Sequence, residues 1–124
     1  MTYLNETTFK LEDFDCIATG DLSQAGFQMF CDLLQTSQIE VNNQFTDCGL
    51  RIFNLDEHDI FCGGSGPACS MIVLISDLLD QLQKGKLKRI LLLASGALFS
   101  NVAIYQKESI PCICHGIVLE RCDL

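Results

Sequence analysis

Tryptophan is absent from this 124-residue chain, proline and histidine occur twice each, and cationic side chains are scarce. Eight Lys plus Arg stand against 16 Asp plus Glu, a formal charge of −8. An acidic balance of that size argues against a nucleic-acid groove or a polybasic membrane contact. The one basic cluster, Lys84, Lys86, Lys88 and Arg89, falls where a helix should end and reads as a solvated cap. No apolar run reaches the ~18 residues needed to cross a bilayer. The most apolar stretch, Ile90 to Ile104, is broken by Ser95, Gly96, Ser100 and Asn101. Met1 to Asp15 holds no basic region followed by an apolar run, so no secretory signal is visible and the eight cysteines are expected in a reducing compartment. A C-x2-C pair and a paired zinc-knuckle spacing are both missing. As a strand, Cys112-Ile113-Cys114-His115 would put both cysteines on one face and the histidine on the other, which predicts small core residues rather than metal ligands.

What the chain does hold is aliphatic. A 48% hydrophobic share with 19% charged residues excludes a disordered tail. The length fits a single domain over residues 1–124. Phe14 to Gly20 reads as a short buried strand ended by Gly20 and Asp21, with Ser23 as cap of the helix that follows. Phe27, Phe30, Cys31 and Leu34 recur at helical spacing opposite Gln24, Gln28, Asp32 and Gln35, an amphipathic helix of about three turns. Ile39 to Thr46 carries little signal. Leu50-Arg51-Ile52-Phe53 and Ile60-Phe61-Cys62 read as two strands joined by a loose turn through Asn54 to Asp59.

Gly63-Gly64-Ser65-Gly66-Pro67 then opens a helix to about Gln83, with Gly85 as its C-terminal cap. Met71, Leu74, Ile75, Leu78 and Leu82 occupy one face, and Cys69, Ile72 and Val73 cover much of the rest. A helix apolar nearly all round must be covered on several sides. Leu87 to Ala94 reads as a core strand, Gly96 opens a loop through Ser109, and Ile113 to Glu120 forms the last strand. The pattern predicts an α/β fold: a mostly parallel mixed sheet, one hairpin, a buried central helix and one amphipathic helix. About five strands and one further helix supply too few layers to cover that central helix, so the chain looks like half of a sandwich awaiting a partner surface.

For chemistry, Gly63-Gly64-Ser65-Gly66 ahead of a helix offers free backbone N–H groups suited to a carboxylate or phosphate, although no Lys-Ser/Thr follows to make a Walker loop. Close helix–strand packing explains the same glycines. Gly20-Asp21-Leu22-Ser23 and Ser95-Gly96-Ala97 close two strands, and loops at strand C-terminal ends converge on one crevice in open α/β sheets. Cys69 sits in a first helical turn, where a thiol can be activated, but His58 lies in an acidic turn and His115 in a strand, so Cys69 reads as core. Asp21 could serve as acid, base or cation ligand, or cap its own turn.

Thr19-Gly20-Asp21-Leu22-Ser23, Asp47-Cys48-Gly49-Leu50, the Gly63-Gly64-Ser65-Gly66 helix start, Gly85-Lys86-Leu87-Lys88-Arg89-Ile90, Gly96-Ala97-Leu98 and the closing Glu108 to Arg121 keep an order and spacing that resembles the C-terminal part of the stage V sporulation protein AD family. That resemblance implies a thiolase-like half whose full-length counterpart has two similar α/β halves with central helices between two sheets. It further implies a non-catalytic sporulation role, with no cofactor or resident metal. The role would be binding dipicolinic acid, free or as its calcium chelate, and supporting its uptake into the developing spore. Expected partners are another thiolase-like half or a second copy, and membrane proteins of the same sporulation operon, with no nucleic acid. The expected location is cytoplasmic in the forespore or spore, peripheral at the inner spore membrane. Condensing enzymes of that fold carry a histidine after the first strand and an asparagine at the buried helix, where this chain has Gly20-Asp21-Leu22-Ser23 and Gly63-Gly64-Ser65-Gly66. The expected ligand-binding residues are Asp21, Ser23, Gly64, Ser65 and Gly66. Two other readings stay open: an interaction module pairing with another thiolase-like half, and a thiolase-type acyltransferase.

Overall fold

The computed structural model describes residues 6–53, 56–57, 66–98 and 100–122. Its elements in chain order are strand β1 (Cys16–Thr19), helix α1 (Ser23–Thr36), strand β2 (Phe45–Asp47), helix α2 (Cys48–Ile52), a helical rod α3, strand β3 (Arg89–Ala97), helix α4 (Asn101–Tyr105) and strand β4 (Cys112–Glu120). The rod α3 runs through three contiguous segments, Cys69–Val73, a π-helical Leu74–Leu78 and Leu79–Gln83. The sheet order is β2-β1-β3-β4. β1 pairs in parallel with both β2 and β3, and β3 pairs antiparallel with β4, so the expected mostly parallel mixed α/β sheet is present.

The alternation of side chains along the strands builds two apolar layers. Cys16, Ala18, Ile90 and Leu92 meet Cys48 and the inner face of α3: Cys69, Val73, Leu74, Leu78 and Leu82. On the other face Ile17 and Leu91 join Phe14 and Phe45, against Phe27, Phe30 and Leu34 of α1. The sheet is thus sandwiched between α1 and α3, an arrangement consistent with one thiolase-like half.

The π turn explains which face of α3 is inward. An uninterrupted α-helix would repeat Cys69 and Val73 at positions 77 and 81; the extra residue of a π turn moves the repeat to Leu78 and Leu82, both buried. Asp77 instead faces α2, where its Oδ2 accepts from Arg51 Nε at 3.0 Å. Of the expected inner face, Leu74, Leu78 and Leu82 are buried, while Met71 and Ile75 join Ile72 on an exposed flank. The rod ends as anticipated at Gly85, whose φ of 71° lets its N–H reach Leu82 O at 3.1 Å and the Lys86 N–H reach Gln81 O at 2.9 Å, the paired bonds of a Schellman cap.

Several local expectations are corrected. Leu50-Arg51-Ile52 is helical rather than a strand, because Asp47 caps the segment by accepting from Gly49 N at 3.0 Å. Phe45–Asp47, in the low-signal stretch, is a strand held by parallel pairing to β1. β3 runs on to Ala97, past Ser95 and Gly96, because β4 pairs with it over nine positions, and Asn101–Tyr105 is a helix capped by Ser100. Cys112 and Cys114 are exposed, not core: they lie at the start of the edge strand β4, opposite Ala97 and Ser95 at the exposed end of β3, whereas Val118 and Leu119 farther along β4 pack on the two apolar layers. Ser23 begins α1 at a φ of 59°, and the cap position is Leu22 with no side-chain cap bond, so Ser23 does not cap the helix. The expected strand Ile60-Phe61-Cys62 lies outside the described residues.

Candidate functional site

Parallel pairing sets the C-terminal ends of β1 and β3 side by side, Thr19 opposite Leu93. The chain leaving β1 turns at once through Gly20, Asp21 and Leu22, and β3 carries Ser95 two residues past that register. Gly20 packs closely on β3: a Cβ on it would lie 3.3 Å from Ser95 Oγ, a tight contact. Gly66 and Pro67, just ahead of α3, and Ser70 in its first turn lie across from them. Among the described residues, Gly20, Asp21, Gly66, Pro67, Ser70 and Ser95 line a cavity of about 210 Å³, open to solvent and more polar than apolar at its walls. It sits at the carboxyl ends of parallel strands, the place where open α/β sheets bind ligands.

Asp21 spans the gap. Its Oδ2 accepts from Gly66 N at 3.0 Å, tying the β1 turn to the approach to α3. Gly66 adopts a φ of 86°, a left-handed conformation that glycine takes without a Cβ penalty. Behind the turn lies a second carboxylate. Asp47 is fully buried; its Oδ2 accepts from Thr19 Oγ1 at 2.6 Å and Leu22 N at 2.9 Å, while its Oδ1 accepts from Gly49 N. Gly49 fills the space between the two acids: a Cβ there would collide with Asp21 Oδ1 and come within 2.9 Å of Asp47 Oδ1.

Among the described residues the cavity is therefore lined by one carboxylate, from Asp21, and two hydroxyls, from Ser70 on α3 and Ser95 on β3. Such walls can hydrogen-bond a small polar ligand or face a cation carried by it. Among the described residues no group of three or more His, Cys, Asp or Glu is placed to hold a metal ion. The buried thiols Cys16, Cys48 and Cys69 belong to the core on the α3 side of the sheet. Burial, with Cys69 and Asp47 beside it, pushes the Cys48 thiol up to about 12, and burial also raises Cys16.

Of the five expected ligand residues, Asp21 and Gly66 come together at the cavity. Ser23, the first residue of α1, is not among its lining residues. Gly64 and Ser65 lie outside the described residues, as does His58. Ser95 was visible in sequence only as part of a loop after a strand. Pro67 was visible in sequence only as part of the helix opening, and Ser70 carried no signal, because a serine in the first turn of an apolar helix reads as an ordinary surface position.

The amino-acid sequence is itself similar to known ones. The family model for stage V sporulation protein AD matches residues 1–120. Stage V sporulation protein AD of Bacillus subtilis (strain 168) is 46% identical over 118 residues, which cover 95% of this chain and 34% of that protein. The chain thus spans about a third of the length of the curated relative it matches. It belongs to the stage V sporulation protein AD family.

Proposed function

We propose that this chain is a non-catalytic sporulation protein whose cavity binds dipicolinic acid as its calcium chelate and supports the loading of that ligand into the developing spore. The observation that carries the reading is the cavity at the carboxyl end of β1 and β3, with Asp21 on one side and Ser70 and Ser95 on the others. A chain of charge −8 repels a free dianion, whereas the calcium chelate is close to neutral. In the bound state the Ser70 and Ser95 hydroxyls would donate to carboxylate oxygens and Asp21 would lie toward the calcium. The buried thiols support a non-catalytic role: Cys69 is fully buried in the core, out of reach of a substrate, and Cys48 is held protonated by its surroundings.

The chain would work paired with a second thiolase-like half, supplied by the rest of a longer protein or by a second copy, in the cytoplasm of the forespore at the inner spore membrane beside membrane proteins of the same operon. Support for pairing comes from the outer flank of α3, where Met71, Ile72 and Ile75 are 51%, 49% and 64% exposed. The same flank favours the second reading, an interaction module with no small ligand. Calorimetry separates the two. Titrating the paired protein with dipicolinate should give heat only with calcium present, and Asp21→Asn should weaken it. Absence of heat in every condition would leave the interaction module standing.

A further inference from the structure

We infer that Asp47 is the positioning residue of this cavity: it fixes the turn that carries Asp21 without lining the cavity itself. The inference rests on the cavity being the ligand site proposed above. Asp47 ends β2 directly opposite Thr19 of β1, so its side chain reaches sideways across the parallel pair. There it binds the last residue of β1 through Thr19 Oγ1 and the far side of the turn through Leu22 N. Asp21 lies between those two anchor points. With the turn pinned on both sides, Asp21 Oδ2 meets Gly66 N across the gap. The other oxygen of Asp47 caps α2 at Gly49, the residue packed against Asp21. One buried carboxylate thus sets the relative placement of β1, its turn and α2 on one side of the cavity.

The chemistry requires an acid at this position. All three partners donate, and both oxygens are used. An asparagine has one acceptor oxygen, so its NH2 group would face either the Leu22 N–H or the Gly49 N–H, donor against donor in a site closed to water. Asp47→Asn should therefore release the turn locally while the strands stay paired.

The test compares the full chain with Asp47→Asn by residue-resolved amide exchange, and by calorimetry with calcium dipicolinate on the paired protein. Exchange at Gly66 should accelerate about tenfold or more, in line with the loss of one buried hydrogen-bond partner, with Ile90, Leu91 and Leu92 keeping wild-type protection. Affinity for calcium dipicolinate should fall by a similar factor. Acceleration at all of these amides together would mean that Asp47 serves stability alone, and an unchanged Gly66 would mean that it does not set the turn; either overturns the inference. If Asp47→Asn does not fold, Thr19→Val removes one of the three donors and should give the same pattern in weaker form, and its absence overturns the inference equally. A wild-type protein that takes up no calcium dipicolinate, while Gly66 still responds, would sink the ligand reading and leave the positioning role supported.

Discussion

Replacing Met71, Ile72 and Ile75 with serine separates what α3 does for this chain from what it does for a partner. The three side chains are about half exposed, so the substitutions remove little packing and should leave the melting temperature close to wild type, each costing within about 0.5 kcal/mol. Leu78→Ala, on the inner face of the same rod and fully buried, should cost about 2–5 kcal/mol. Pairing reverses the ranking. Complete burial of an aliphatic side chain stabilises by about 1.5–3 kcal/mol, so covering the exposed part of all three gains roughly 2.5–5 kcal/mol. Ordering those side chains takes back about 0.5–1.5 kcal/mol each. The remaining gain, about 0.8 kcal/mol at mid-range, corresponds to an affinity loss of roughly fourfold in the triple variant. Sedimentation velocity over a range of concentrations, alone and with the unmatched remainder of the Bacillus subtilis relative, reads it directly. Wild type that stays monomeric in both conditions, or a triple variant that associates as tightly as wild type, would refute a role for this flank in pairing.

Thiol labelling of the native chain should modify Cys112, Cys114 and Cys122 first and leave Cys16, Cys31, Cys48 and Cys69 protected until unfolding; fast labelling of Cys69 would reopen the acyltransferase reading. Gly85→Ala should destabilise by roughly 1–2 kcal/mol in a denaturant titration, the cost of a Cβ at that left-handed position, while the Arg121 guanidinium beside it can swing aside. Acid sensitivity has two named sources. Backbone N–H groups of Arg89 and Lys88 hold the Asp15 carboxyl below its ordinary value. For Asp77, burial opposes the charge, but hydrogen bonds from Gln81 and Arg51 outweigh it and lower that group too. Groups lowered by folding contribute fully above the ordinary carboxylate range and lose that contribution as pH falls through their folded values. Stability should therefore drop on acidification below about pH 4, and Asp15→Asn should flatten the drop; an unchanged acid slope in that variant would contradict the assignment.

How much of this was legible in sequence follows from where the determining contacts lie. The core of β3 and the span of α3 announce themselves through local apolar patterns, and Gly85 marks the helix end by its own conformational freedom. α2 misled because Leu50 and Ile52 alternate with Arg51 like a half-buried strand; what makes the segment helical is the cap from Asp47, a single side chain whose partners are set by its neighbours in space. β2 is too short and polar to show itself, and exists through pairing with β1. The π turn was invisible because the apolar positions of α3 nearly encircle it, leaving the sequence indifferent to which ones face inward. At the site, Asp21 and Gly66 stood out as turn and glycine signals 45 residues apart, and their contact confirms the expected convergence. Ser70 and Asp47 matter only through residues far away in the chain, so no local pattern could single out either.

A crystal structure of the paired protein grown with calcium dipicolinate tests the central claim most directly. Density for the ligand is expected between Ser70 and Ser95, with its calcium on the Asp21 side. A fully occupied ligand bound elsewhere, with this cavity holding only solvent, would contradict the account.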